Sequence, residues 1–228
     1  MAESNVAVSW SGGKDSCLAL YRALQQRYSV RALLNFVSQD SKRCCFHGVP
    51  RELMEWQSQS LGIPLVTHPM PDAMREYEEA FRRAIAGLDG INGIVFGDIY
   101  LDEHKEWVER VCRSAGISCI EPLWNESPGA LMEEFIDLGF MAVIVSCKAD
   151  LFGPEWIGRI IDRAMLSELR DRGICPCGEN GEFHTLVVDG PFFRAPVELT
   201  AAKTVLVEGF WKHWFMDIKH FKAAGVPA

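Results

Sequence analysis

The sequence predicts an α/β protein: a five-stranded parallel sheet with helices on both faces, followed by a smaller C-terminal α+β domain. Short apolar runs alternate with helical patterns through the first half, a glycine-rich turn follows the first run, and the pattern changes after Pro122. Of the 228 residues, 48% are hydrophobic and 24% are charged, as is usual for a globular protein. We therefore expect two domains, residues 1–125 and 126–228.

Near-continuous apolar runs predict the strands of the first domain, because strands of a covered parallel sheet are buried on both faces. The predicted strands are residues 6–9, 30–37, 65–67, 93–96 and 117–120. Helical periodicity predicts the connecting helices at residues 15–27, 51–61, 72–86 and 102–115. The last of these is expected to be capped by Asp102 and to end at Gly116. Such alternation implies right-handed crossovers, and ligands then bind beyond the carboxyl ends of the strands.

The second domain has fewer clear patterns. Helices are predicted at residues 128–138 and 157–172, and strands at 141–146, 182–188 and 203–208. A Gly-Pro turn at residues 190–191 separates the last two strands.

Charge and targeting signals limit the classes of function. A formal net charge of −8 argues against general attraction to nucleic acid, although arginines and lysines cluster locally. The apolar run at residues 141–145 is far too short to cross a bilayer. The N-terminal residues lack a basic region followed by an apolar core, so we expect a cytoplasmic protein with its eight cysteines reduced.

The strongest local pattern is Ser-Gly-Gly-Lys-Asp-Ser at residues 11–16, between the first predicted strand and helix. The two glycines permit a tight turn, and the amides at the start of a helix can donate hydrogen bonds to an anion. Lys14 adds a positive charge, and the two serines add hydroxyl groups. Asp15 would repel phosphate unless it meets a bound Mg²⁺ or caps the helix. The turn lacks the spacing of a Walker loop, so it predicts a different kind of phosphate site.

This turn resembles the PP-loop of ATP pyrophosphatases. Three further segments narrow the resemblance: Gly-Asp at residues 97–98, Glu-Pro-Leu-Trp at 121–124, and Cys-Gly-Glu-Asn-Gly-Glu-Phe-His-Thr at 177–185. Together they are similar to the diphthine–ammonia ligase family over nearly the whole chain. The resemblance implies an N-terminal ATP domain of the adenine nucleotide alpha hydrolase-like (HUP) type and a C-terminal substrate domain.

The resemblance also implies a reaction and its participants. A carboxylate is adenylated by ATP, pyrophosphate departs, and ammonia displaces AMP to leave an amide. The family's acceptor is a modified histidine on a translation elongation factor. Whether ammonia is free or delivered by a partner, and whether the chain is a homodimer, stay open.

Site residues follow from the turn and the resemblance. Glu179 and Glu182 are expected to bind ammonium, and His184 to accept a proton from the attacking amine. Asp15 is expected to meet Mg²⁺ through ATP. The predicted catalytic residues are Lys14, Asp15, Glu179, Glu182 and His184. The predicted ATP-binding residues are Ser9, Ser11, Gly12, Gly13, Lys14, Asp15, Ser16, Phe36, Val37, His47, Gly97 and Asp98.

One departure leaves the acceptor open. Family members that act on diphthine follow the glycine after the fourth strand with a stretch that ends in Tyr-Gln-Arg, whereas residues 98–105 here read Asp-Ile-Tyr-Leu-Asp-Glu-His-Lys.

Two alternatives also remain open. The pairs Cys44/Cys45 and Cys175/Cys177 keep a PP-loop enzyme of another chemistry, such as RNA thiolation, under consideration, although neither pair has the spacing of a zinc site. The other alternative is a protein that binds adenine nucleotides without turnover.

Overall fold

The computed structural model describes residues 4–39, 43–45, 47–71, 74–208 and 212–223. The chain folds into two compact units. The first contains Met1–Ser11, Asp15–Cys45 and Arg51–Asn125. The second contains Glu126–Ala228 together with two short segments from earlier in the chain, Gly12–Lys14 and Phe46–Pro50.

The first unit is built on a parallel sheet. Its strands are β1 (Asn5–Ser9), β2 (Ser29–Ser38), β3 (Leu65–Met70), β4 (Gly93–Val95) and β5 (Ser118–Ile120). The intervening helices are α1 (Lys14–Gln25), α2 (Arg51–Leu61), α3 (Met74–Ala86) and α4 (Asp102–Ala115). The strand order is β3-β2-β1-β4-β5, with every neighbouring pair parallel. The order reverses between β1 and β4, and such a switch point opens a crevice at the carboxyl ends of the strands.

The predicted five-stranded sheet is confirmed, and most bounds differ by only a few residues. Residues 72–73 of the predicted third helix lie outside the described residues. The prediction that Asp102 caps α4 is wrong: the N-cap is Leu101, without a side-chain cap, and Asp102 lies in the first turn. A carboxylate there still favours the positive end of the helix dipole. Gly116 ends α4 as predicted, in the left-handed conformation with φ of 69°.

Alternate residues of the strands build a core on one face of this sheet. Ala7, Leu34 and Ile94 pack in one cluster with apolar residues of α3 and α4. Phe81 of α3 contributes an aromatic contact to this cluster: its ring stacks on that of Phe36, with 4.8 Å between the ring centroids. The indole of Trp10 donates a hydrogen bond to Gln57 of α2 at 3.0 Å. The sheet therefore has helices on both faces, as predicted.

The second unit is a smaller α+β structure, as predicted. Its helices are α5 (Pro128–Asp137) and α6 (Arg163–Asp171), and its strands are β6 (Met141–Lys148), β7 (Phe183–Asp189), β8 (Val197–Glu208) and β9 (Lys212–Ala223). The sheet order is β7-β6-β9-β8, with antiparallel neighbours. β6 and β7 carry the segments that form the candidate site.

Two predictions for this unit are wrong. The helix predicted at residues 157–172 begins only at Arg163, where Asp162 accepts a hydrogen bond from the Met165 amide as the N-cap. The preceding residues form a short 3₁₀ turn, Pro154–Trp156, and then an extended stretch in which Ile160 bridges Val143. Gly158, with φ of 86°, interrupts any helix there.

The second error concerns the C-terminal strands. The strand predicted at residues 203–208 begins six residues earlier, at Val197. Strand β9 was not predicted at all.

None of the helices in the described part of the chain is both long and apolar enough to pass through a bilayer.

Candidate active site

The middle of the Ser-Gly-Gly-Lys-Asp-Ser turn is hydrogen-bonded to strand β7. The Gly12 carbonyl accepts a hydrogen bond from the Val187 amide at 2.9 Å. The Lys14 amide donates to the Thr185 hydroxyl at 3.1 Å. The Lys14 side chain is only 3% exposed, and its ammonium lies 5.2 Å from the ring centroid of Phe183. Two hydrogen bonds therefore hold the middle of the turn against β7. Burial also places the Lys14 charge in a low-dielectric environment, which strengthens its attraction for an anion.

The two ends of the turn, Ser11 and the residues from Asp15 onward, belong to the first unit. The hydroxyls of Ser11 and Ser16 lie 3.3 Å apart. Gly97, which follows β4, passes so close to the start of α1 that a Cβ there would lie 2.8 Å from the Asp15 carbonyl carbon. Glycine is therefore needed at position 97 for backbone packing. The two serine hydroxyls and the Asp15 carboxylate supply oxygen atoms in one short stretch, the donor type that Mg²⁺ prefers.

A buried polar network supports the start of the turn. The Asn35 amide donates to the Trp10 carbonyl at 2.8 Å and to the Cys44 sulfur at 3.2 Å. The Cys44 thiol in turn donates to the Ser11 carbonyl at 3.7 Å. Burial raises the pKa of the Cys44 thiol to about 12, so it stays protonated and can act as this donor.

Two predicted site residues, His47 and His184, are brought together in the second unit. Their ring centroids lie 4.9 Å apart. His47 Nδ1 lies 2.8 Å from the Thr185 carbonyl oxygen, and because a carbonyl only accepts, Nδ1 carries the proton. Burial lowers the pKa of His47 to about 4, helped by the nearby Lys14 charge. Burial also lowers the pKa of His184, with further lowering by His47 and Lys14. Both imidazoles are therefore neutral at pH 7.

The predicted glutamate loop forms a tight turn before β7. Gly178 and Gly181 have φ of 64° and 74°. Both oxygens of Glu182 accept hydrogen bonds from Asn180, from its backbone amide at 2.9 Å and its side-chain amide at 3.1 Å. Glu182 is buried, which gives this carboxylate a role in holding the turn. Glu179 is half-buried in the same turn.

The remaining predicted ATP-binding residues lie at the carboxyl edge of the parallel sheet. Ser9 is the last residue of β1 and is half-buried. Phe36 is 7% exposed and stacks on Phe81, so its ring belongs to the core. Val37 is also buried. The Asp98 carboxylate lies 3.2 Å from His104 Nδ1.

Sequence reasoning assigned no role to Glu121, Lys105 or Thr185. The Glu121 carboxylate lies at the end of β5, 3.4 Å from the Lys105 ammonium, which also lies 4.3 Å from the ring centroid of Trp124. One oxygen of Glu121 is buried with no hydrogen-bond partner among the described residues. The quoted Glu-Pro-Leu-Trp and His-Thr segments contained Glu121 and Thr185, and the quoted stretch at residues 98–105 contained Lys105, but only the folded contacts reveal which atoms meet.

The cysteine pairs give no support to a metal centre. All eight cysteines are free thiols. Cys177 donates to the Pro128 carbonyl at 3.3 Å. In the part of the chain that the structure describes, neither predicted pair joins a group of three or more candidate metal ligands.

The fold and the turn define the class of protein. A parallel sheet with Ser-Gly-Gly-Lys-Asp-Ser between its first strand and helix is the architecture of a PP-loop nucleotide-binding protein. The chain belongs to the diphthamide synthase family: the family model described as "Diphthamide synthase N-terminal domain" matches residues 4–119, and "Diphthamide synthase C-terminal domain" matches residues 127–223. It is accordingly an ATP-dependent ligase.

Several curated proteins named diphthine–ammonia ligase are similar to this chain. The relative from Danio rerio is 25% identical over 220 residues, which cover 86% of this chain and 86% of that protein. The relative from Homo sapiens is 22% identical over 226 residues, 88% of this chain and 85% of that protein. The relative from Schizosaccharomyces pombe is 23% identical over 222 residues, 86% of this chain but only 36% of that protein.

A solved structure from Methanocaldococcus jannaschii, described as a predicted subunit of tRNA methyltransferase, aligns with a TM-score of 0.46 and 18% identity. The alignment covers 82% of this chain and 97% of that one.

Proposed function

We propose that this chain forms an amide from a carboxylate and ammonia at the expense of ATP, in the manner of a diphthine–ammonia ligase. A carboxylate oxygen of the acceptor attacks the α phosphorus, and the bond to the bridging oxygen breaks to release pyrophosphate. Ammonia then attacks the acyl carbon, the bond to AMP breaks, and one proton is lost to a base. Family membership and the names of the relatives support this assignment.

The observation that carries the proposal is the buried Lys14 ammonium in a turn held by hydrogen bonds. In this proposal residues 11–16 bind the β and γ phosphates and leave the α phosphate open to attack. Negative charge grows on pyrophosphate as it leaves, and a preorganised positive group stabilises that charge more in the transition state than in the ground state. Lys14 is 3% exposed, so water screens its charge little.

Magnesium is proposed to reach this site with the nucleotide. Asp15, Ser11 and Ser16 provide oxygen atoms that fit such an ion, two of them within 3.3 Å of each other. When bound, Mg²⁺ would neutralise phosphate charge and remove the repulsion between Asp15 and the nucleotide.

The acceptor side is proposed to involve the second unit. Glu179, in the tight turn before β7, is the candidate for holding ammonium, because Glu182 already binds Asn180 through both oxygens. His184 is neutral at pH 7, so it can accept a proton from the attacking amine. The acceptor is proposed to be the modified histidine of a translation elongation factor, and residues 98–105, where this chain departs from the family's Tyr-Gln-Arg stretch, are the place to test that choice.

The test is product analysis with purified protein. We expect repeated turnover to AMP and pyrophosphate in equal amounts only when ATP, ammonium and a diphthine-bearing acceptor are all present; without ammonium, at most one pyrophosphate per protein should be released, as the acyl adenylate forms. Lys14→Ala should lower kcat/KM by about 100-fold or more, as removal of a group that stabilises the transition state does. Lys222→Ala is the matched control, because Lys222 lies on the surface in an ion pair with Glu198.

Two results would overturn the proposal. One is release of ADP and phosphate, which requires attack at the γ phosphorus. The other is full pyrophosphate release by the Lys14→Ala protein, which would remove the loop from the reaction.

A further inference from the structure

One face of the antiparallel sheet in the second unit collects titratable side chains. In an antiparallel ladder, directly opposite residues point to the same face. Ser146 lies opposite His184 on one side and Phe215 on the other, and Lys148 lies opposite His213. His184, Ser146, Lys148 and His213 therefore share a face, and the ring of His47 lies against His184. We call these five residues the histidine face.

The groups that act on His184 are basic: two lysines and two imidazoles. Lys14, His47, His213 and Lys148 each act on His184 in the direction that lowers its pKa. Lys14 belongs to α1, His47 to the segment before α2, His213 to β9 and Lys148 to β6. Basic groups from four separate parts of the chain therefore surround His184. A chain with a net charge of −8 has concentrated positive and ionisable nitrogen atoms here. Such a concentration favours an anionic ligand.

The face also adjoins the phosphate turn. A Cβ on Gly13 would lie only 2.7 Å from His47 Cε1, so the imidazole lies directly against the turn. Thr185 joins the two, since its hydroxyl accepts from the Lys14 amide and its carbonyl accepts from His47. His47 therefore has a fixed ring, with Nδ1 as the donor and Nε2 as the acceptor.

A second observation points to a missing partner. The Ser146 hydroxyl is fully buried and has no hydrogen-bond partner among the described residues. Buried hydroxyls are normally paired, so an unpaired one beside His184 indicates that a water or ligand, or a protonated neighbour, completes the face in the working protein.

We infer that the histidine face is a proton-coupled subsite for a phosphate-type oxyanion, in which His47 and His184 together take up one proton when pyrophosphate occupies the turn at Lys14. The inference rests on the proposed function for the position of the phosphates. The imidazolium and the Lys14 ammonium then both offset negative charge on pyrophosphate. The imidazolium loses its proton when the anion leaves. No bond other than N–H is made or broken.

The sign of the linkage follows from the free protein. Lys14 and burial lower the pKa of His47 to about 4, so the pair is neutral without an anion. An anion beside Lys14 offsets that charge and raises the pKa of the pair. The affinity for pyrophosphate therefore rises as pH falls from the raised value in the complex toward the low value in the free protein.

The experiment is calorimetric titration of the full chain with pyrophosphate and Mg²⁺ at pH 6 and pH 7.5, in pairs of buffers that differ in ionisation enthalpy. Pyrophosphate also titrates in this range, so the measured quantity is the difference between wild type and variant. The variants are His184→Asn and His47→Asn, with His220→Asn as the matched control, since His220 is exposed on β9. Thermal melts establish that each variant is folded.

We expect wild type and His220→Asn to take up more protons on binding than either histidine-face variant. Their gain in affinity between pH 7.5 and pH 6 should exceed that of the variants by about threefold to tenfold, as one linked proton allows. Equal proton uptake in wild type and variants, with binding intact and dependent on Lys14, would overturn this inference and leave the proposed function standing. Failure of both ATP and pyrophosphate to bind wild type would overturn the assignment of the turn as well.

Discussion

The backbone amide of Lys14 donates a hydrogen bond to the hydroxyl of Thr185 at 3.1 Å, across a separation of 171 residues. The contact is buried and fixes the first residue of α1 against strand β7. It also occupies one of the amides at the start of the helix, so in the proposed nucleotide site this amide is not available to a phosphate, and the hydroxyls and the Lys14 ammonium gain in importance. The turn at residues 11–16 is therefore shaped by a residue that lies far away in the sequence.

Thr185→Val should test this contact. The change keeps the shape of the side chain but removes the hydroxyl that accepts the hydrogen bond from the buried Lys14 amide. We expect a loss of about 1–3 kcal/mol in the free energy of unfolding and a higher KM for ATP. Urea denaturation and steady-state kinetics measure the two effects. Thr204→Val, at an exposed position of β8, is the control and should change neither.

Gly13→Ala should conflict with the histidine face. The added Cβ would lie 2.7 Å from His47 Cε1 and 3.1 Å from the Thr185 carbonyl oxygen, so neighbours must shift. We expect a cost of about 1–3 kcal/mol in the free energy of unfolding, as overpacking causes. At Gly87 the nearest atom to a new Cβ is 3.5 Å away, so Gly87→Ala is the matched control.

A double-mutant cycle sharpens the Gly13 prediction. In a His47→Ala background one of the two close contacts is absent, so Gly13→Ala should cost less there than in wild type. Equal costs in the two backgrounds would mean that the His47 ring does not lie against the turn.

Glu121→Gln should change the pH dependence of stability. Burial raises the pKa of Glu121, against the opposing effect of Lys105. A carboxyl with a raised pKa contributes stability below its ordinary pKa and loses it as pH rises through the raised value. The glutamine variant should therefore be at least as stable as wild type at pH 7 and lose any advantage as pH falls through the acidic range.

Unfolding by denaturant at several pH values measures this difference. Glu103→Gln, at an exposed position of α4, is the control and should leave the pH profile unchanged. A Glu121→Gln protein that is clearly less stable than wild type at pH 7 would indicate that the ion pair with Lys105 outweighs burial.

Cys44 should resist alkylation in the folded protein. Its pKa is raised to about 12, so at pH 8 only about one thiol in ten thousand is a thiolate, and the sulfur is also buried. Brief treatment with iodoacetamide followed by peptide mass analysis should label the half-buried Cys175 before Cys44. Labelling of Cys44 at the rate seen in urea would contradict the thiol's role as a buried donor to Ser11.

The sequence predicted the first unit well because its local patterns agree with its tertiary structure. Helix α2 has the predicted bounds, and the residue that follows it, Gly62, has φ of 70°. The same holds for α4 and Gly116. Each of these two helices is followed by a glycine that the backbone conformation requires, so the signal is local and strong.

The second unit was harder to predict because its patterns conflict. Ile157, Ile160 and Ile161 match the spacing of a helix, but Gly158 and a bridge to β6 hold the segment extended. β9 carries lysines and histidines among its apolar residues, and only two of its twelve residues are buried. Its partners β6 and β8, rather than its own periodicity, define it as a strand.

The site shows the same division between local and distant information. The turn at residues 11–16 was predicted as a phosphate site from six consecutive residues. The contact between His47 and Thr185 could not, since 138 residues separate them. No local pattern reports that one threonine accepts hydrogen bonds from both the turn and a histidine.

The contacts of Gly12–Lys14 with β7 have a consequence for protein engineering. A fragment that stops at residue 125 would retain the parallel strands but would lack Val187 and Thr185, the partners of Gly12 and Lys14. Its nucleotide turn would lose the bonds that shape it. Chimaeras that join this chain's N-terminal half to a relative's C-terminal half must therefore keep a hydroxyl acceptor at position 185, since its loss would remove the hydrogen bond to the Lys14 amide.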